Sequence, residues 1–170
     1  MIFVTVGNAT QGFRRLLDVV DRLAGQGAFR NETVFIQSGN NPGFRPSNCK
    51  HEPFLPMEEF EMKIHEADLV ISHAGAGTLL HVLQTGKLPV VMPRRKKYGE
   101  HVDDHQVELV KALATEGRII PAYEPEDLPN AIMEVFELNR RRKGSGVRSE
   151  EKKSPMLELV AKAIGEMMRK

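Results

Sequence analysis

Apolar positions along this chain switch repeatedly between the spacing of a strand and that of a helix. Ile2-Phe3-Val4-Thr5-Val6 is a short β-branched run and reads as the first strand. Phe13, Leu16, Leu17, Val20, Leu23 and Ala24 then recur at helical spacing, which predicts an amphipathic helix over residues 12–25, ending near a glycine. Residues 33–37 read as a second strand, and Gly39, Pro42, Gly43 and Pro46 mark a turn-rich loop before a short third strand over residues 50–54. Met57, Phe60, Ile64 and Ala67 mark the second helix, and residues 69–72 the fourth strand. A helix over residues 77–85 follows, with Leu79, Leu80, Val82 and Leu83 inward. Residues 89–92 form a fifth strand bounded by prolines, and Val107, Leu109, Val110, Leu113 and Ala114 mark the next helix. The last strand falls at residues 118–120, and the last helix of this series at 128–138, with Ala131, Ile132, Val135 and Phe136 inward. The alternation predicts parallel βαβ units in a doubly wound α/β sheet, with ligand loops at the carboxyl ends of the strands.

Beyond residue 138 the composition changes. Arg140-Arg141-Arg142-Lys143, then Gly144-Ser145-Gly146 and Glu150-Glu151-Lys152-Lys153, predict a charged linker over residues 140–154 after a domain of residues 1–139. Over residues 155–170, Met156, Leu159, Val160, Ala163, Ile164 and Met167 fall on one face of a C-terminal amphipathic helix that needs a covering surface. A partner chain and this chain's own sheet are the two candidates. With 170 residues and 41% hydrophobic content the chain holds one core, not two full domains. A net charge of +1 gives no reason to expect nucleic-acid binding. Cys49 is the only cysteine, which fits a reducing compartment, and it sits in a polar loop with no activating base in view. No apolar run approaches a membrane span or a signal peptide.

Candidate chemistry centres on His73-Ala74-Gly75-Ala76-Gly77-Thr78, where a strand opens through a glycine turn into a helix. Free N–H groups and the positive end of a helix dipole suit a diphosphate there. Small residues at such a turn also occur purely for packing. Two better-known phosphate motifs are excluded. Gly7-Asn8-Ala9-Thr10-Gln11-Gly12 has P-loop glycine spacing, but Phe13-Arg14 replace the required Lys and Ser/Thr. Gly75-Ala76-Gly77 lacks the third glycine of a dinucleotide fingerprint, because Leu80 stands there. Arg94-Arg95-Lys96-Lys97 follow the fifth strand at its ligand end, either to meet an anion or as a solvated loop. His73 is either a satisfied structural histidine or a catalytic one. Asn8 and Gln37, at the ends of the first two strands, line the same cleft as possible donor contacts. Asp103-Asp104 read as the N-cap and first-turn residues of the next helix rather than as metal ligands with His101 and His105.

The ordered set is more specific than any one motif. It comprises Met1-Ile2-Phe3-Val4-Thr5-Val6-Gly7, Gln37-Ser38-Gly39, the stretch from Ala67 through His73 to Thr78, Gly86-Lys87-Leu88-Pro89, and Asp103-Asp104-His105-Gln106. It resembles the C-terminal, nucleotide-sugar-binding half of the family 28 glycosyltransferases. The likeness is greatest to short members that form one subunit of a two-chain enzyme. These are the bacterial capsule and exopolysaccharide type and the eukaryotic UDP-N-acetylglucosamine transferase subunit. The resemblance implies a Rossmann-like fold, the C-terminal half of a GT-B glycosyltransferase. It also implies a donor-binding and catalytic subunit of an inverting, UDP-sugar-dependent hexosyltransferase acting on a lipid-linked acceptor. The UDP-sugar is the donor substrate, and no cofactor or metal is implied. The acceptor site and general base would belong to a membrane-anchored partner, placing the chain in the cytoplasm at the inner face of the membrane. By the same likeness His73, Gly75, Ala76, Gly77, Thr78, His81, Arg94, His105, Gln106, Asn8 and Gln37 contact the nucleotide sugar, with His105-Gln106 at the sugar hydroxyls. His81 departs from the family, which carries a ribose-binding carboxylate there, and an exposed helix histidine without a role is the alternative. That departure also supports a second reading, a non-catalytic nucleotide-sugar-binding or regulatory module; a structural scaffold with an empty cleft is a third.

Overall fold

The computed structural model describes residues 1–144. Six parallel strands are β1 (Ile2–Thr5), β2 (Val34–Gln37), β3 (Lys50–Glu52), β4 (Leu69–His73), β5 (Val90–Met92) and β6 (Ile120–Pro121), in the order β3-β2-β1-β4-β5-β6. Each crossover carries a helix or loop back to the start of the next strand, the arrangement expected when parallel neighbours must be joined. The helices are α1 (Arg14–Gly25), α2 (Met57–Glu66), α3 (Ala76–Gln84), α4 (His105–Thr115) and α5 (Leu128–Gly144).

Alternation along the strands divides the core between two faces. Ile2, Val4, Ile71, Val90 and Met92 join α1 and α5 on one side. Phe3 and Val70 meet Ile64 of α2 and Val82 of α3 on the other, where Val91 packs with Leu79, Leu109 and Leu113. The central strands β1, β4 and β5 are buried on both faces because helices cover both, and the fold class is the doubly wound, Rossmann-like sheet read from the pattern.

The element boundaries differ from expectation for identifiable reasons. α1 starts at Arg14, because the Asn41 carboxamide accepts a hydrogen bond from the Phe13 N–H at 2.7 Å and caps the entry. β3 stops at Glu52 and is an exposed edge strand. β6 is Ile120–Pro121 on the edge of the sheet, bonded to β5 through the Ile120 and Ala122 N–H groups on either side of the proline. Leu80, expected inward, is only half-buried, whereas Leu79, Val82 and Leu83 are buried. α5 runs on to Gly144 through the basic run placed in the linker, a residue type suited to a helix C-terminus. The rest of that linker and the helix expected at 155–170 lie outside the described residues.

Candidate functional site

A cavity of about 310 Å³ opens at the carboxyl ends of β1, β2 and β4. Gly7 and Asn8 come from the turn after β1, Gln37 from the end of β2, and His73 from the end of β4. The first turn of α3 supplies Gly75, Ala76, Gly77 and Thr78, and its next turn supplies His81. An apolar wall of Leu55, Met57 and Phe60 completes it. In the sequence Met57 and Phe60 read as positions of the second helix, and Leu55 carries no signal. Their spacing carried no sign of a ligand, since an inward helix face and a cavity wall are both apolar.

The α3 N-terminus is poised for an anion. No side chain caps it, so the first-turn N–H groups remain available beside the cavity. The two glycines of this turn serve different ends. A Cβ on Gly75 would lie 2.1 Å from His73 Nε2, so the missing side chain makes room for the imidazole. A Cβ on Gly77 would meet nothing within 4 Å, so its absence keeps open space in the cavity itself. Gly7 closes on the same ring from the other side. Its φ of +70° suits glycine, and a Cβ there would meet His73 Cε1 and Nε2 at 2.5 Å.

His73 is therefore clamped between two glycine backbones. It is 7% exposed, and its buried ring lies against the Thr5 backbone. Burial first, and the neighbouring Arg94 guanidinium second, push the imidazole down to about 3, so the ring is neutral near pH 7.

Gln37 is buried, and its carboxamide is already engaged. It accepts from Thr5 Oγ1 and donates to the Pro53 carbonyl at 3.1 Å and to Asn8 Oδ1 at 3.2 Å. It thereby fixes Asn8, which stands exposed at the rim. His81 is partly exposed, with Nδ1 3.4 Å from the Glu61 carboxylate on α2.

The remaining expected contacts lie outside this cavity. Arg94 is fully buried. Its Nη1 donates to the carbonyls of Gln11, Gly12 and Glu100, and its Nη2 to the carbonyl of Val6. The guanidinium ties the β1–α1 loop to the end of β5, and its face lies against Phe13. Gln106 accepts from the Arg94 backbone N–H at 3.0 Å. His105 is exposed and pairs with Asp103 at 3.2 Å. Asp103 also accepts from the His105 N–H, so the capping carboxylate is Asp103, one residue before the formal N-cap Asp104. Arg95 and Lys97 turn to Glu124. Much of the cationic run therefore neutralises this chain's own carboxylate. Burial and the Asp21 carboxylate push the Cys49 thiol up to about 12, which leaves no thiolate for chemistry. Among the described residues no cluster of histidine, cysteine and carboxylate is arranged to hold a metal, and no helix is long and apolar enough to cross a membrane.

The glycosyltransferase family 28 C-terminal domain matches residues 1–160. The UDP-N-acetylglucosamine transferase subunit ALG13 of Homo sapiens is 33% identical over 125 residues, covering 69% of this chain and 10% of that protein. The protein of the same name from Cryptococcus neoformans is 37% identical over 82 residues, covering 47% of this chain and 38% of its own length. This chain thus spans well under half of either relative. Among solved structures, the glycotransferase of kitacinnamycin superposes with a TM-score of 0.58 at 18% identity, over 99% of this chain and 40% of that one. Acinetobacter baumannii MurG gives 0.52 at 22% identity, over 95% and 44%. At those identities the likeness is one of fold.

Proposed function

This chain belongs to the glycosyltransferase family 28 C-terminal domain family, and from that membership and its cavity we propose that it binds the UDP-sugar donor of a two-chain hexosyltransferase. The observation that carries the reading is the uncapped N-terminus of α3, opening into a cavity that the His73 imidazole also lines. The diphosphate takes the first-turn N–H groups of α3, with Thr78 offering a hydroxyl. As the glycosidic bond to the leaving UDP breaks, charge grows on the β-phosphate, and fixed dipoles stabilise it without reorganising. The neutral His73 adds a polar contact there without bringing a charge of its own.

The same geometry argues for a second chain. Among the described residues no carboxylate lines the cavity, and the His73 imidazole, held near 3, is too weak a base to take a hydroxyl proton at neutral pH. We therefore propose that the general base and the acceptor site come from a partner that is membrane-anchored and presents a lipid-linked acceptor to an inverting displacement. The ALG13 proteins are named as subunits, which supports the division of labour. His105 and Gln106 stand at the start of α4, outside the cavity, and we assign them to the sugar hydroxyls. The absent lining carboxylate equally supports the second reading, a nucleotide-sugar-binding module without transfer activity.

Calorimetry with UDP tests the site. The full chain binds UDP, and Gly77→Asp weakens binding by more than about tenfold through charge repulsion and lost space, while the melting temperature holds because that Cβ meets nothing. Unchanged UDP affinity in the folded variant places the nucleotide elsewhere. Transfer activity on adding the membrane partner separates the two readings.

A further inference from the structure

We propose that Gln37 is a positioning residue for the cavity: its buried carboxamide holds Asn8 with Oδ1 turned inward, so that the two Nδ2 hydrogens are what Asn8 offers to an oxygen acceptor of the ligand. The inference rests on the reading that a nucleoside diphosphate occupies the cavity.

Thr5 and Gln37 are register partners at the ends of β1 and β2, and they are 0% and 2% exposed. The direction of every hydrogen bond around them follows from partners that can act in only one way. The Gly7 N–H donates to Thr5 Oγ1 at 3.2 Å, and the Thr5 hydroxyl hydrogen then goes to Gln37 Oε1. At its other end the carboxamide meets the carbonyls of Pro53 at 3.1 Å and Gly7 at 3.4 Å, which only accept. That end is therefore the nitrogen. A flipped carboxamide would set carbonyl against carbonyl in a buried place and leave them all unsatisfied. The same Nε2 lies 3.2 Å from the Asn8 side chain, so the Asn8 atom facing it is the acceptor Oδ1. Donors thus run in one direction from Gly7 through Thr5 and Gln37 to Asn8, an arrangement in which each bond polarises the next.

The end of this chain is the part that meets a ligand. Asn8 lines the cavity and is exposed, and its backbone is held as well, since Asn40 Nδ2 donates to the carbonyls of Asn8 at 3.3 Å and Ala9 at 2.8 Å. A carboxamide without a partner turns either its oxygen or its nitrogen to a ligand; with Gln37 behind it, Asn8 turns only the nitrogen. Gln37 itself borders the cavity, but both ends of its carboxamide are engaged, so it acts on the contents through Asn8. Together with the uncapped turn of α3, the cavity then presents donors from two elements, which suits a ligand whose oxygens accept and do not donate.

Side-chain amide exchange in the wild type and a mutant cycle on the full chain test the assignment, both with UDP as the probe. By NMR the Gln37 Nε2 hydrogens exchange slowly with solvent whether or not UDP is present, whereas the Asn8 Nδ2 hydrogens exchange freely until UDP slows them. By calorimetry Asn8→Ala weakens UDP binding about fivefold, the worth of one net hydrogen bond. Gln37→Met, similar in length but unable to donate, weakens it by as much in the wild type and not at all in the Asn8→Ala background, because its effect passes through Asn8. A Gln37→Met loss of equal size in both backgrounds overturns the proposal, as does unchanged affinity in either folded single variant. Should Gln37→Met fail to fold, exchange in the wild type decides: protection by UDP that appears at Gln37 and not at Asn8 overturns the proposal. Absence of any UDP binding to the wild type overturns the nucleotide reading and this inference with it.

Discussion

His73 shows how much a neighbourhood changes a residue's meaning. The sequence places a histidine at a strand-to-helix turn and leaves open whether it is structural or catalytic. The structure closes two glycine backbones on its ring and sets a guanidinium nearby, so the imidazole stays uncharged. Those distances join residues 7, 73, 75 and 94, and no local pattern encodes them. The linkage has a definite sign. Above the ordinary imidazole value near 6.5, folded and unfolded chains are both neutral at this position and nothing is lost. As pH falls from 6.5 toward 3, the unfolded chain takes up a proton that the folded chain refuses, so stability declines. Between pH 6.5 and 5 this amounts to about 1.5 kcal/mol. Chemical denaturation at several pH values checks it: His73→Gln, which cannot titrate, flattens the slope, and equal slopes in the two proteins would assign the acid sensitivity to other groups.

Among the elements, those with long apolar periods were legible and their ends were not. The strand order follows from alternating strands and helices, yet the start of α1 depends on Asn41, 28 positions away. The site divides in the same way. The α3 turn was readable because strand, glycines and helix are contiguous, whereas the Leu55–Met57–Phe60 wall comes from another crossover. Arg94 marks the clearest departure from its expected use as an anion contact. Its Nη1 and Nη2 donate to four backbone carbonyls at the junction of the β1–α1 loop and β5, as a planar guanidinium can and an ammonium cannot. Arg94→Lys is accordingly expected to cost roughly 2–4 kcal/mol of stability and to speed amide exchange across residues 7–12, because buried carbonyls lose their donors. A loss of UDP affinity with unchanged stability would instead return Arg94 to the ligand.

For the molecule as a whole, five helices within residues 1–144 already cover both faces of the sheet. A chain ending at residue 144 should therefore unfold in one cooperative transition and bind UDP as the full chain does. Thermal melts and calorimetry check this, and a broadened melt would mean that the C-terminal stripe from Met156 to Met167 completes this core instead of serving a partner. The sheet order has a consequence for biosynthesis as well. β1 leaves the ribosome first but sits in the middle of the finished sheet, and its neighbour β4 pairs Leu69 with Ile2, 67 positions later. At about 5–20 residues per second, that strand waits roughly 3–13 seconds for its second flank. Through that interval a run of buried apolar residues has an open edge, so the nascent chain is a natural client for factors that shield unpaired strands during translation.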